Sequence, residues 1–389
     1  MISMTFRYAY LADRDSEDSG FGLCIEKEEI NPISLALLIK MLNFPLPKGP
    51  KDSISFSKCK FARDGTTRLC SPDSIQILMS AFTRRFSALY LYDSPEILEC
   101  LFNSPNLELS MTLLHIRQDR LSALECAGIG SLVQHSVSLK HLLILTSDIE
   151  ETLVLGEALA NALHLQSLCF RSVYDLKFKI RDDLAGDGDC VVRQLLRPQR
   201  QLEQLKLANL HLKDHHFQTI TEMLPTSQLQ VLDVSDNSIE HEGILALAYQ
   251  LPKIKCLKRV DLDHNLWENN YYLRHTENAA NYSECVDALQ TGMFENYSVE
   301  WIIVERQQMQ LKYFTNTNRM RRQILETGLA IPVGIWPLIL QQVGSQLWDS
   351  TWGEEEKFRR HTATSLYIVV QNCPILSSTA LFVREAKGG

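Results

Sequence analysis

The chain has 389 residues, 45% of them hydrophobic, and a formal charge of −8. That length suits two or three globular domains, and the negative charge argues against nucleic acid or anionic lipid as the main partner, since both require a surplus of Lys and Arg. None of the ten cysteines forms a C-x-x-C pair, which excludes a zinc or disulfide framework and fits reduced thiols in the cytoplasm.

Residues 1–52 read as an N-terminal tail and capping helix. Arg7, Asp13, Arg14, Asp15, Glu17 and Asp18 break up the first stretch, so no signal peptide is expected. Asn31-Pro32 then opens an apolar helix over Ile33 to Leu42, stopped by Pro45 and Pro47.

From Phe56 onward a phrase recurs with apolar residues at positions 1, 4 and 6. Copies start at Phe56 (Cys59, Phe61), Phe86 (Leu89, Leu91), Met111 (Leu114, Ile116), Leu139 (Leu142, Ile144) and Leu165 (Leu168, Phe170). Ser94, Asp119 and Ser147 occupy position 9, where a side chain can bond to the backbone of a bend. Returning helices are expected on two stripes, Leu121, Leu124, Gly128, Leu132 and Leu153, Gly156, Leu159, Leu163. An acidic loop around Tyr174 to Asp189 then swells one step.

The clearest phrase is Leu229-Gln-Val-Leu-Asp-Val-Ser-Asp-Asn237-Ser-Ile239. Leu229, Leu232, Val234 and Ile239 point inward from a strand and its bend, and the amide of Asn237 satisfies backbone groups that the bend leaves unpaired. It returns at Leu257, after 257 − 229 = 28 residues, and is preceded by Leu202, 229 − 202 = 27 residues earlier. A last copy is Val299 (Ile302, Val304). Between them lies an insertion in which Trp267 is expected to be buried and Tyr271 and Tyr272 exposed. A unit this short cannot bury its own apolar face, so its copies must stack. Residues 307–389, with Trp336, Trp348 and Trp352, supply apolar surface for a helical C-terminal cap.

These phrases resemble the ribonuclease-inhibitor-like class of leucine-rich-repeat proteins, over roughly residues 53–306 and most closely over 202–265. The resemblance implies an α/β fold: a solenoid curved as a horseshoe, with parallel strands on the concave face, helices outside and helical caps at both ends. It also implies a habit of binding proteins on the concave face, and no chemistry. GTPase-activating proteins of the Ran type resemble the same class. The helix followed by Pro-Leu-Pro is faintly similar to the F-box of ubiquitin-ligase substrate receptors. A GTPase-activating regulator and a ligase receptor are therefore the alternatives to a non-catalytic scaffold.

Because strand side chains alternate, positions 3, 5, 7 and 8 face the hollow. They offer Lys58, Lys60 and Arg63, then Tyr90 and Tyr92, His115 and Arg117, Leu143 and Leu145, Arg171, Lys206, Asp233 and Asp236, Asp261 and Asp263, and Trp301. Exposed aromatics there have no structural need and suit a partner. The four aspartates suit a basic segment of a protein partner.

No P-loop, G-x-S-x-G, H-E-x-x-H or G-x-G-x-x-G motif occurs, and no cofactor or metal is implied. His211, His215 and His216 lack a further ligand, and Asp263-His264 are neighbours on a strand whose side chains face apart. The sequons at Asn281 and Asn296 occur at the frequency expected by chance. The uncharged run Thr327 to Trp348 contains Pro332 and Pro337, so no membrane insertion is expected.

Overall fold

A computed structural model describes residues 4–5, 22–26, 29–43, 53–64, 67–68, 70–102, 111–149, 155, 159, 161–172, 196, 201–269, 276–304, 311, 314–316 and 318–319. Tyr271, Tyr272, Leu153, Gly156, the loop at 174–189, the acidic tail at 13–20 and the tryptophans at 336, 348 and 352 lie outside them. The chain divides into two compact units, Met1–Ser238 and Ile239–Gly389.

In the first unit a strand pair, β1 (Met4–Thr5) and β2 (Gly22–Glu26), is antiparallel. Short strands β3 (Glu29–Ile30) and β5 (Lys60–Phe61) pair in parallel, and β6 (Arg63–Asp64) pairs antiparallel with β7 (Thr67–Arg68). The main sheet continues from β2 through β4 (Ser53–Ser57), β8 (Ala88–Tyr92), β9 (Leu113–Leu121), β10 (His141–Ile149), β11 (Ser167–Ser172), β12 (Gln204–Ala208) and β13 (Val231–Asp233). Every step after β1 is parallel. Parallel neighbours need a crossover. Helices α1 (Pro32–Leu42), α2 (Pro72–Arg85), α3 (Pro95–Phe102), α4 (Ala123–His135) and α5 (Asp214–Met223) follow β2, β4, β8, β9 and β12.

The register aligns the repeat phrases. Ile54, Leu89, Leu114, Leu142, Leu168, Leu205 and Leu232 form one continuous line, each fully buried, with Phe56, Leu91, Ile116 and Ile144 beside it. Helix residues Leu38, Met79, Ile97, Ile129 and Phe217 complete this core. Each buried leucine-sized side chain contributes about 1.5–3 kcal/mol. The parallel pairing begins at Gly22, so α1 follows a strand of the sheet.

The bends repeat as well. Lys58, Asp93, Asn209, Asp236 and His264 all occupy position 8 and all have positive φ, between 47° and 57°. A left-handed residue there turns the strand so that the next side chain enters the core, and Asn and Asp tolerate it best. Asn237 bonds as its phrase predicted. It accepts from the amides of Leu210 (2.9 Å) and Leu212 (3.0 Å) and donates to the carbonyls of Leu207 (2.7 Å), Val234 (2.9 Å) and Ser235 (3.0 Å). Ser94 does the same work with one hydroxyl, accepting from the Cys59 amide (3.0 Å) and lying 3.3 Å from the Phe56 carbonyl.

Three local expectations are corrected. The first repeat strand is phased on Ile54 and Phe56, not on Phe56, Cys59 and Phe61. Cys59 therefore stands at position 9 and its thiol donates to the Ile25 carbonyl at 3.2 Å. Asp119 and Ser147 do not cap bends, because β9 and β10 run on, paired as far as Leu121 and Ile149. Asp119 is exposed and the buried Ser147 hydroxyl makes no hydrogen bond among the described residues. The stripes hold in part: Leu121, Leu132 and Leu159 are buried, but Leu124 is 84% and Leu163 55% exposed, and Cys126, Ile129, Gly130 and Val133 join Leu132 on the buried face of α4. Ser122 sets that phase by capping the helix in a reciprocal box with Glu125.

The second unit carries β14 (Arg259–Asp261) and β15 (Trp301–Ile303), paired in parallel. Its helices are α6 (His241–Gln250), α7 (Leu266–Asn269) and α8 (Thr276–Glu295). Asn265 repeats the turn amide, accepting from Ile239 (3.2 Å) and donating to Leu262 (2.8 Å). Trp267 is buried, 1% exposed, and stacks on Tyr282 at 5.4 Å. The sequon residues Asn296 and Ser298 are buried and bonded to each other and to the Ile254 carbonyl, so they latch the connection between α8 and β15 to the turn at Leu251–Ile254 and present no acceptor for a glycan. Asn318 reaches back to the carbonyls of Asn296 (3.1 Å) and Val299 (2.8 Å).

Helix α8 approaches α6 at Gly292, where an added Cβ would lie 2.4 Å from the Ala248 carbonyl. Gly292→Ala is expected to destabilise the protein by about 1–3 kcal/mol through overpacking, read from urea unfolding. A variant as stable as the parent would disprove that contact. Among the described residues no helix is long and apolar enough to cross a membrane.

Candidate functional site

The face of the first sheet that turns away from the core is set by alternation and register. One row across the strands reads Cys24, Ser55, Tyr90, His115, Leu143, Cys169, Lys206, Asp233. The next reads Glu26, Ser57, Tyr92, Arg117, Leu145, Arg171, Ala208. The structure thus gathers Tyr90, Tyr92, His115, Arg117, Arg171, Lys206 and Asp233 onto one surface. Lys60 and Arg63 are not on it, and Lys58 stands at its edge, in the bend after Ser57. The corrected phase puts Ser55 and Ser57 there, and Arg63 pairs with Glu96 at 2.9 Å.

Tyr90, Tyr92 and His115 form an aromatic cluster. The tyrosine rings lie 6.3 Å apart and nearly parallel, and the imidazole meets each edge-on, at 5.4 Å and 5.3 Å. Edge-to-face contacts of this kind are favourable beyond their area. All three side chains are half-buried, and the buried Nε2 of His115 has no hydrogen-bond partner among the described residues. The amide of Asp93 donates to the Arg117 carbonyl (2.8 Å), which ties the strand end beside the cluster.

Burial, and then the neighbouring Tyr92, push the Tyr90 phenol up to about 12. Burial also raises Tyr92, against the opposing Arg117 guanidinium. Burial first and Arg117 second lower His115 to about 4. At neutral pH the cluster therefore presents neutral hydroxyls and a neutral ring beside one fixed positive charge.

Between the ordinary value of His115 near 6.5 and about 4 the unfolded chain takes up a proton that the native cluster refuses. Stability is therefore expected to fall as pH drops through that window, with a slope approaching ~1.4 kcal/mol per pH unit, and to be flat above it. Urea unfolding of the parent and His115→Phe across this range checks it. Equal slopes would remove His115 as the cause.

Asp233, Asp236 and Asp261 are engaged, and the buried Oδ1 of Asp263 has no hydrogen-bond partner among the described residues. Asp233 accepts from the Ser235 amide (3.1 Å) and hydroxyl (2.7 Å), and Asp236 lies 3.7 Å from Arg171. In the second unit Asp261 accepts from the Asp263 amide (3.3 Å) and meets Arg259 at 3.4 Å, while Asp263 lies 3.7 Å from His264. Trp301, 46% exposed, is covered on one face by the Arg319 guanidinium, 3.4 Å from its centroid. Among the described residues no three potential metal ligands converge.

Sequence reasoning missed Cys24, Ser55, Cys169 and Glu26 as members of the face. The alternations Leu23-Cys-Ile25 and Ile54-Ser-Phe56, with Cys59 in the place of the turn asparagine, were the signals that could have found the first two strands.

No family model matches the chain, and no curated protein matches it. Among solved structures it is similar to actin-binding site 2 of leiomodin-1, at 16% identity and TM-score 0.35, over 46% of this chain and 96% of that one. The C-terminal domain of a Caenorhabditis elegans tropomodulin matches at 16% identity and TM-score 0.35, over 45% and 99%. The TLR13–ssRNA13 complex matches at 15% identity and TM-score 0.27, over 55% and 39%. None of these matches identifies a family or a partner for this chain.

Proposed function

We propose that the chain is a non-catalytic protein-binding scaffold of the cytoplasm, a leucine-rich-repeat solenoid whose sheet face away from the core takes a protein partner. One observation carries the reading: Tyr90, Tyr92 and His115 pack together beside Leu143, Leu145 and Arg117 on a surface that the core does not use. A solvated sheet gains nothing from clustered aromatics, whereas interfaces concentrate their binding energy in such anchors ringed by polar groups. The reading does not rest on the aspartates, since Asp233, Asp236 and Asp261 already have partners.

Cross-linking mass spectrometry on native extract with the full chain tests it. Links from a partner protein are expected at Lys206 and to be lost in Tyr92→Asp. Links unaffected by that substitution would overturn the assignment of this face. Stimulated hydrolysis by a bound GTPase would instead favour the regulatory alternative.

A further inference from the structure

The same face has a chemistry that selects among partners. Arg117 and Lys206 form no ion pair among the described residues, and the hydroxyls of Tyr90 and Tyr92 make no hydrogen bond there. Arg117 is exposed and Lys206 half-buried. In a chain of net charge −8, Arg117 stands unpaired beside the two phenol donors and Lys206 unpaired three strands further on, on a face whose carboxylates Glu26 and Asp233 lie at its two edges.

Building on the proposed protein-binding role, we infer that the face takes an extended acidic peptide segment, with carboxylates at Arg117 and Lys206 and aliphatic side chains on Leu143 and Leu145 between them. Arg117 lies on β9 and Lys206 on β12, with Leu143 and Leu145 on the strand next to β9. Three strand steps of about 4.8 Å, with an offset of two residues along the strand, separate the cations by about 16 Å. An extended peptide rises about 3.4 Å per residue, so the carboxylates belong roughly four to five residues apart.

The donors match that occupant. Guanidinium and phenol groups are all donors toward a carboxylate, and the charged bond is the stronger kind. Half-buried Tyr90 and Tyr92 keep their protons at neutral pH, so they donate without competing negative charge. Two nearby carboxylates limit the site: Asp233, held by Ser235, stands next to Lys206, and Asp236 is turned toward Arg171. Asp233 repels a carboxylate brought to Lys206, so the contact at Lys206 is the weaker of the two.

The test is selection of a displayed library of random peptides on the immobilised full chain, run in parallel on Arg117→Glu, Lys206→Glu and the milder Arg117→Gln. Enrichment of Asp or Glu roughly four to five residues apart around Leu, Ile or Val is expected. The winning peptide, labelled, should bind Arg117→Gln roughly tenfold more weakly by fluorescence anisotropy, as for loss of one charged hydrogen bond. Enrichment of basic or charge-free peptides, or a selection unchanged in Arg117→Glu, overturns the acidic assignment and leaves the binding face standing. No enrichment by the parent or any variant overturns the binding face itself. A short oligothymidine bound more tightly than the selected peptide would transfer the site to nucleic acid.

Discussion

Replacing Asn237 by alanine is expected to lower the unfolding free energy by at least ~4 kcal/mol, because each buried backbone group left without a partner costs about 1–3 kcal/mol. The amide accepts from two N–H groups and divides its own two hydrogens among three carbonyls, with the side chain 5% exposed. Alanine supplies none of these bonds, and the site lies among buried leucines. Loss of hydrogen-exchange protection at the Leu210 and Leu212 amides should accompany the fall in the urea midpoint. Asn237→Asp separates the two halves of the role. Its carboxylate still accepts from both amides but meets the carbonyls of Leu207, Val234 and Ser235, so its folded pKa is raised. Such a variant should be most stable below the ordinary carboxylate range and weaken as pH rises. A loss under about 1 kcal/mol for Asn237→Ala would show that water replaces the amide at no cost.

Trp267→Ala is expected to cost about 3–5 kcal/mol, the range for deleting a large buried aromatic side chain. The ring is almost fully buried and stacks on Tyr282 with planes 14° apart. Its indole nitrogen has no hydrogen-bond partner among the described residues. Trp267→Phe therefore loses no bond, keeps an aromatic face for Tyr282 and should cost distinctly less. A double-mutant cycle with Tyr282→Ala measures the stack, which should contribute about 0.5–1.5 kcal/mol. If alanine and phenylalanine destabilise equally, packing volume is not what the tryptophan supplies.

The candidate site was legible to the extent that register is local. Tyr90, Tyr92, His115 and Arg117 alternate with Leu89, Leu91, Leu114 and Ile116, and a strand whose apolar set must face the core has one choice of face for the rest. Their meeting as a cluster was not legible. Whether Tyr90 stands against His115 depends on pairing between strands separated by a helix. The local satisfaction of Asp233 by Ser235 and of Asp236 by Arg171 likewise depends on bend geometry and on neighbouring strands. Of the four aspartates that look available along the sequence, Asp233, Asp236 and Asp261 are engaged in the folded chain.

The amino-acid sequence alone determined the repeats at Leu202, Leu229 and Leu257, the turn role of Asn237 and the burial of Trp267. Each follows from side-chain alternation over a few residues and from the need to satisfy a bend. Tertiary structure decided the phase of the first strands, because Ile54, Phe56, Cys59 and Phe61 support two alternations and only pairing with Leu89 and Leu91 selects one. It also decided that β9 and β10 run through positions where a bend was expected, since each strand supplies the other's hydrogen bonds. Arg319 covering Trp301 belongs to the same class, a contact between residues far apart along the chain that no local pattern encodes.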